Sequence, residues 1–357
     1  MIYNFFQLMY IPAFVSFFLI LIILYLPKEW VINQDTQSGI QNFHKHEVAR
    51  IGGGPVFIGF FTGLYFLDQQ TELLLALLLI SLPVFIAGFY EDLSAKVTPL
   101  TRLVSAFFSI IIAFVLLDVR IDSLGFGMVD YALSNYILAS LLFTLLVVGG
   151  AVNSLNIIDG FNGLLGGYSI LASLAVAYIS YVLSDDLMFF LSLILTASVL
   201  GFFVLNFPFG KIFIGDGGAY FIGIMLAVIS LLLVDRHAEL SSWFVLLIFM
   251  YPMYELLYSI YRRKILHKVD ASQPDANHLH SLVYKKLISC DKFSHNKIVC
   301  NSMVAPIMWA LSLVGIIPAI IWHDDQGKLI ISAFVFMLVY TVIYKYISSD
   351  RFKFNRE

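Results

Sequence analysis

Charge is scarce in this sequence. Of its 357 residues only 13% are charged while 60% are hydrophobic, and the mean hydropathy is +0.88. A chain of this length with so little polar surface cannot clothe a water-soluble core, which excludes a soluble globule. Its apolar runs are about 17 to 25 residues long, whereas barrel strands are shorter and alternate. The expected fold class is therefore an all-α polytopic membrane protein.

Other absences narrow the reading further. There are two cysteines, Cys290 and Cys300, both in one connection, so no disulfide framework is expected. No basic residue precedes the first apolar run and no small-residue cleavage site follows it, so that run is expected to be a retained helix and not a signal peptide. The net charge of −3 is small and gives no reason to expect nucleic acid as a partner. No low-complexity tract or soluble domain interrupts the chain, which reads as a single domain over 1–357.

Eleven spans are expected, at 5–26, 51–67, 73–90, 103–117, 136–152, 164–183, 187–205, 220–234, 243–261, 304–322 and 329–347. An odd number puts the termini on opposite sides. Of the 21 lysines and arginines, all but Arg120, Arg236 and Lys328 lie in odd-numbered connections, at the end of the last span (Lys345) or in the C-terminal tail. The positive-inside rule makes those connections cytoplasmic, the N-terminus periplasmic and the C-terminus cytoplasmic.

The same connections, 27–50, 91–102, 153–163, 206–219 and 262–303, also carry the polar chemistry. They hold His44 with Arg50; Glu91 and Asp92 with Lys96; Asn153, Asn156, Asp159 and Asn162; Asn206, Lys211, Phe213 and Asp216; and Asp275, His278 and His280. The opposite connections are short and plain. One composite site on the cytoplasmic face of the cytoplasmic (inner) membrane is expected.

Residue type and spacing indicate what that site handles. Asn153, Asn156, Asp159 and Asn162 recur at every third position, a spacing that keeps side chains on one face of an α-helix or a 3₁₀ turn. Polar groups at the edge of hydrocarbon are costly unless they face a partner, a water-filled cavity or a ligand. Glu91 and Asp92 follow directly on an apolar run, and a cation would relieve the cost of desolvating them side by side. Mg²⁺ prefers oxygen ligands, keeps several waters and is commonly held by one or two carboxylates together with substrate phosphates. Asp216 lies among Gly215, Gly217 and Gly218, which let backbone approach a bulky anion. In an extended segment His278 and His280 would point the same way, toward a phosphate or metal, and Phe213 could present its ring to a nucleobase. Taken singly, each feature has a plainer alternative: a water-capped helix end, solvated acids, an interfacial phenylalanine, or a basic inner-face loop that attracts anionic lipid.

Taken together, the motifs resemble one family across nearly the whole chain. They are His44 followed by Arg50-Ile-Gly52-Gly53; Gly88-Phe-Tyr-Glu91-Asp92 followed by Arg102-Leu103; Asn153-x-x-Asn156-x-x-Asp159-Gly; Asn206-x-Pro208-x-x-Lys211-x-Phe213-x-Gly-Asp216-x-Gly218; and Pro274-Asp275-x-x-His278-x-His280. In this order they resemble the polyprenyl-phosphate N-acetylhexosamine-1-phosphate transferases, a superfamily that includes phospho-N-acetylmuramoyl-pentapeptide transferase. The resemblance implies transfer of a sugar-1-phosphate from a UDP-N-acetylhexosamine to polyprenyl (undecaprenyl) phosphate, releasing UMP. It implies Mg²⁺, with Mn²⁺ as the alternative, held by Asp216. Asp92 would ligate metal or orient and deprotonate the lipid phosphate, with Glu91 beside it. Asn153, Asn156, Asp159 and Asn206 would shape the nucleotide pocket, Phe213 would stack on uracil, and His278 and His280 would contact the diphosphate or sugar. The other implied substrate contacts are His44, Arg50, Lys96, Asn162 and Lys211. The acceptor would enter sideways from membrane lipid, and a homodimer is the assembly the family suggests.

Three departures bear on the reading. Glu91 stands where an aspartate is usual, which keeps the charge but moves it one methylene outward. Asn162 replaces a second aspartate found in many relatives, so no ionic role is expected there. The run of three histidines typical of the peptidoglycan enzyme is absent, which favours the branch that starts O-antigen and common-antigen glycans. A transporter or channel is the competing class, since intramembrane carboxylates and helix breaks also mark substrate pathways; a catalytically dead scaffold is the other.

Overall fold

Within hydrocarbon a chain must satisfy its own backbone hydrogen bonds, and long apolar runs do so as helices. The computed structural model describes residues 2–26, 48–67, 71–266, 277–288 and 296–349, and the regular elements among them are helical throughout. The helices are α1 Ile2–Tyr25, α2 Gly53–Tyr65, α3 Thr71–Ser94, α4 Pro99–Leu117, α5 Gly127–Asn135, α6 Ile137–Ile158, α7 Leu164–Val182, α8 Asp186–Asn206, α9 Gly215–Arg236, α10 Ser242–Ile248, α11 Met250–Tyr261, α12 Leu279–Leu282, α13 Lys297–Ser302, α14 Val304–Ile321 and α15 Gln326–Ser348. Single π turns follow α11 and α12, at Arg262–Leu266 and Val283–Leu287.

Among the described residues nine helices are long and apolar enough to cross a membrane, and ten if a bent pair counts as one. Each of the eleven expected spans corresponds to helix, but two are irregular. The second is α2, whose 13 residues reach about 20 Å at a rise of about 1.5 Å per residue, short of a hydrocarbon core about 30 Å thick. The ninth is broken into α10 and α11, which meet at 72°. Pro252 accounts for that bend, because it has no N–H to return to the Ile248 carbonyl and its ring crowds that oxygen. The Tyr168 hydroxyl donates to the Ile248 carbonyl instead, at 2.8 Å.

The core is organised around α9. Every residue from Gly215 to Leu231 is buried, and α2, α3, α6, α7 and α8 all pack against this helix. The outer helices turn Phe14 and Phe18 of α1, Leu142 and Leu146 of α6, and Ile331, Phe334 and Leu338 of α15 to the surroundings, as lipid-facing surfaces do.

Several residues assigned to connections are in fact helical. Glu91 and Asp92 lie in the last turns of α3, Asn153 and Asn156 near the end of α6, Asn206 at the end of α8 and Asp216 in the first turn of α9. Hydropathy registers where apolar residues stop. Helical hydrogen bonding continues past that point as long as the polar residues find partners, so the site is built from helix ends more than from loops.

Candidate functional site

Three helix ends meet where the α9 N-terminus is formed. The Gly52 and Gly53 N–H groups donate to the Phe213 and Ile214 carbonyls at 2.9 and 2.8 Å, and the Phe213 N–H donates to Ala49 at 2.9 Å. The segment containing Arg50 is thereby zipped to the segment leading into Asp216. Gly215, with φ +74°, turns the chain into α9 at a point where a β-carbon would collide with the Arg50 carbonyl. From α3, the buried Asp92 carboxylate accepts the Asp216 and Gly217 N–H groups at 2.8 and 2.9 Å. It caps α9 from a neighbouring helix, where orphan amides and the positive end of the helix dipole favour an anion.

Asp216, in that first turn, is ion-paired with Arg50 at 3.3 Å and with Arg102 of α4. Glu91 bends back so that its Oε2 accepts the Val97 N–H at 2.7 Å, closing the turn after α3. The end of α6 contributes Asn156, Asp159, Gly160 and Phe161, and the segment at α12 contributes His278, His280 and Ser281. The two imidazoles are stacked at 5.3 Å and 12°, and Phe161 meets His280 edge-on at 5.6 Å. These groups line a polar cavity of about 300 Å³ at one end of the bundle.

The charges in the cavity define what it accepts. Arg50 and Arg102 face four carboxylates, those of Glu91, Asp92, Asp159 and Asp216. Anions can be held by the guanidinium groups, while the excess carboxylates suit a cation. Among the described residues no group of three or more His, Cys, Asp or Glu side chains is gathered as a complete ligand set. The available donors are carboxylate oxygens, and each Asp92 oxygen keeps a lone pair beyond its bond to α9. That chemistry fits a hard ion such as Mg²⁺, which completes its shell with water and substrate oxygens.

Comparison with known proteins gives this geometry its relatives. The glycosyl transferase family 4 profile matches residues 74–234, from α3 to near the end of α9. The chain is 29% identical to a probable undecaprenyl-phosphate N-acetylglucosaminyl 1-phosphate transferase of Bacillus subtilis, over 80% of this chain and 78% of that one. It is 26% identical to an undecaprenyl-phosphate alpha-N-acetylglucosaminyl 1-phosphate transferase of Thermotoga maritima, over 77% and 80%. The similarity to these two transferases extends over more than three quarters of the chain, and the family profile covers its central helices. The chain is also similar, over a shorter stretch, to a phospho-N-acetylmuramoyl-pentapeptide-transferase of Lactiplantibacillus plantarum, at 38% identity over 30% of this chain and 33% of that one.

The residues expected from the family motifs divide in space. Arg50, Glu91, Asp92, Asn156, Asp159, Asp216, His278 and His280 line the cavity. Asn153, Asn162, Asn206, Lys96, Lys211 and Phe213 do not. Asn153 accepts a hydrogen bond from the Tyr220 hydroxyl at 3.1 Å. Asn162 turns inward, its N–H donating to Asn301 Oδ1 at 2.8 Å and its side chain to the Ser302 hydroxyl at 3.2 Å. Asn206 accepts the Gly163 N–H at 2.6 Å and donates to the Ile212 carbonyl at 2.8 Å, tying two turns together. Lys96 and Lys211 are exposed, Lys211 lying over the Phe209 ring, and Phe213 is half-buried. The every-third-residue row therefore does not keep one face, because helical geometry ends at Ile158 and the turn beyond it redirects Asn162. His44 and Asp275 lie outside the described residues.

Among the family positions, Arg102 was legible as a motif member without an assigned role, and the structure places it on Asp216. Glu255 belonged to no motif, yet it is the buried carboxylate behind His278. A lone acid within an apolar span was the available signal for it.

Asp159 supplies a measurable consequence. It lies just past α6, and burial pushes its carboxyl from the ordinary 3.8 up to about 7 against the opposing pull of Arg50. The folded protein thus holds a proton that the unfolded chain releases, so stability falls as pH rises from about 4 to about 7 and is level above. Asp159→Asn removes this slope. In thermal unfolding of purified protein the variant should gain a few degrees on the wild type between pH 5 and pH 8. A difference that stays flat across that range would contradict the burial argument.

Proposed function

We propose that this protein is a glycosyl transferase of family 4 that transfers N-acetylhexosamine-1-phosphate from a UDP-sugar to undecaprenyl phosphate on the cytoplasmic face of the inner membrane, starting a lipid-linked surface glycan. The observation that carries the reading is Asp216 set between Arg50 and Arg102 at the N-terminus of a buried helix, in a polar cavity at the end of a lipid-facing bundle. The names of the relatives make GlcNAc the preferred sugar. The branch of the superfamily that handles peptidoglycan precursor is the second reading, supported by the shorter match to the pentapeptide-transferase.

In this reaction an oxygen of the lipid phosphate attacks the sugar-bearing phosphorus, the bond to the uridine-bearing phosphate breaks, and UMP leaves. One diphosphate linkage forms as another is lost, so little driving force is needed, and catalysis rests on positioning and charge stabilisation. Arg50 and Arg102 hold phosphate oxygens, and the His278 and His280 rings line the same cavity. Asp216 and Asp92 would hold Mg²⁺, with Mn²⁺ as the alternative, whose charge screens two anionic substrates from each other. The acceptor's isoprenoid tail remains in lipid while its phosphate reaches the cavity.

The test is UMP release by purified protein in detergent with undecaprenyl phosphate, across UDP-GlcNAc, UDP-GalNAc and their 6-deoxy analogues. Release that requires both lipid and divalent metal and is fastest with UDP-GlcNAc is expected. Folded protein that releases no UMP from any of these donors, nor from the peptidoglycan precursor, would exclude the reaction.

A further inference from the structure

Glu255 is a buried acid for which the proposed chemistry has so far given no use. It lies on α11, among Met, Tyr, Leu, Ile and Ser, and is 1% exposed. The phenols of Tyr251 and Tyr340 stand within electrostatic reach of it. Burying a carboxylate in a membrane bundle is costly unless the charge is paired. Glu255 Oε1 lies 3.0 Å from His278 Nδ1 and accepts the Leu279 N–H at 3.0 Å. It does not line the cavity, but His278 does.

This geometry decides how His278 meets a ligand. The two ring nitrogens have distinct roles, and the hydrogen bond made by one sets what the other offers. With Nδ1 directed at a carboxylate, the proton there is held and Nε2 is the ring's other hydrogen-bonding position. When Nε2 also carries a proton, the imidazolium is compensated from behind by Glu255 and can donate forward to a phosphate oxygen.

We infer that Glu255 is a positioning residue for the proposed transfer, fixing the ring of His278 and balancing its positive charge so that Nε2 faces the diphosphate. The inference rests on the reading under Proposed function. Its substance is that the carboxylate's charge is needed, beyond its ability to accept hydrogen bonds. An anchor for the 277–288 segment alone would be served equally by glutamine, whose amide oxygen can take the same two donors at nearly the same volume.

The experiment compares Glu255→Gln, Glu255→Asp, His278→Ala and the double variant Glu255→Gln/His278→Ala with the wild type, using UMP release from UDP-GlcNAc and undecaprenyl phosphate together with thermal unfolding. Glu255→Gln should lower kcat roughly 10- to 100-fold, with the donor KM and melting temperature near those of the wild type. The loss falls on kcat because charge on the departing phosphate grows toward the transition state. Glu255→Asp, which keeps the charge on a shorter arm, should recover part of the rate and serves also if the glutamine variant folds poorly. The double variant should be no slower than His278→Ala, since Glu255 acts through that ring. Wild-type turnover in Glu255→Gln would overturn the inference, as would an aspartate variant no faster than the glutamine one. A double variant slower than His278→Ala by the full Glu255→Gln factor would also overturn it. A wild type that releases no UMP from any donor removes the transfer reading and this inference together, whereas an active wild type matched by Glu255→Gln removes only the inference.

Discussion

Asp216→Asn is expected to cut UMP release by roughly 10²- to 10³-fold while leaving the protein folded. Asparagine matches the shape of the side chain and keeps one oxygen for Arg50 or Arg102. What it loses is the negative charge, which in the proposed reaction holds the divalent ion against the substrate diphosphate. The local fold does not depend on that charge, because α9 is capped by Asp92 through the backbone N–H groups of Asp216 and Gly217. The melting temperature should therefore move little, and residual activity should need more Mg²⁺ for half-maximal rate. Steady-state UMP release across a Mg²⁺ series, paired with thermal unfolding, separates the two effects. Unchanged Mg²⁺-dependent activity would remove Asp216 from the metal site.

A second large effect is expected from Gly88→Val, and it acts through the fold. A β-carbon at Gly88 would lie 2.6 Å from Gly217 N, 2.7 Å from Gly217 Cα and 2.8 Å from the Asp216 carbonyl carbon, all of them backbone of the α9 first turn. Backbone cannot swing aside as a flexible side chain does, and the carboxylate of Asp92, one helical turn further along α3, holds the same two helices together. Small residues at membrane helix crossings exist to permit this approach. Valine at this position should cost about 3 kcal/mol or more, visible as poor recovery of monodisperse protein and a lowered melting temperature. Whatever folds should transfer poorly, since α3 and α9 carry Asp92 and Asp216. Gly150→Ala is the matched control, because nothing lies within 4 Å of a β-carbon there and the position is helical. It should be neutral or stabilising by about 0.5 kcal/mol. Equal behaviour of the two variants would show that the close crossing of α3 and α9 is dispensable.

Much of the site was legible before any helix was placed. Asp92, Asp159, Asp216, His278 and His280 were named from motif and residue type, and all line one cavity. Asn162, Asn206 and Phe213 belong to the same motifs and do not line it. The first two spend their hydrogen bonds on Asn301, Ser302, Gly163 and Ile212, holding the turns on which the cavity depends. A motif records that a residue type is required at a position, and a buried amide that ties two turns together is as demanding as one that touches substrate.

What the sequence alone determined is the class of the molecule: an all-helical bundle with a lipid-facing exterior and polar groups gathered at helix ends. Hydropathy and spacing are local properties, and local properties are enough to establish apolar spans. Only the tertiary structure decided that α2 is too short to cross a membrane unaided, that the ninth span breaks beside Pro252, that Asp92 caps α9 while Asp216 pairs with Arg50 and Arg102, and that Glu255 stands behind His278. Each of these depends on which residues distant in the chain come within hydrogen-bonding range. That is set by the close packing of glycine-bearing helix ends around α9, where contacts between distant segments determine which way each side chain points.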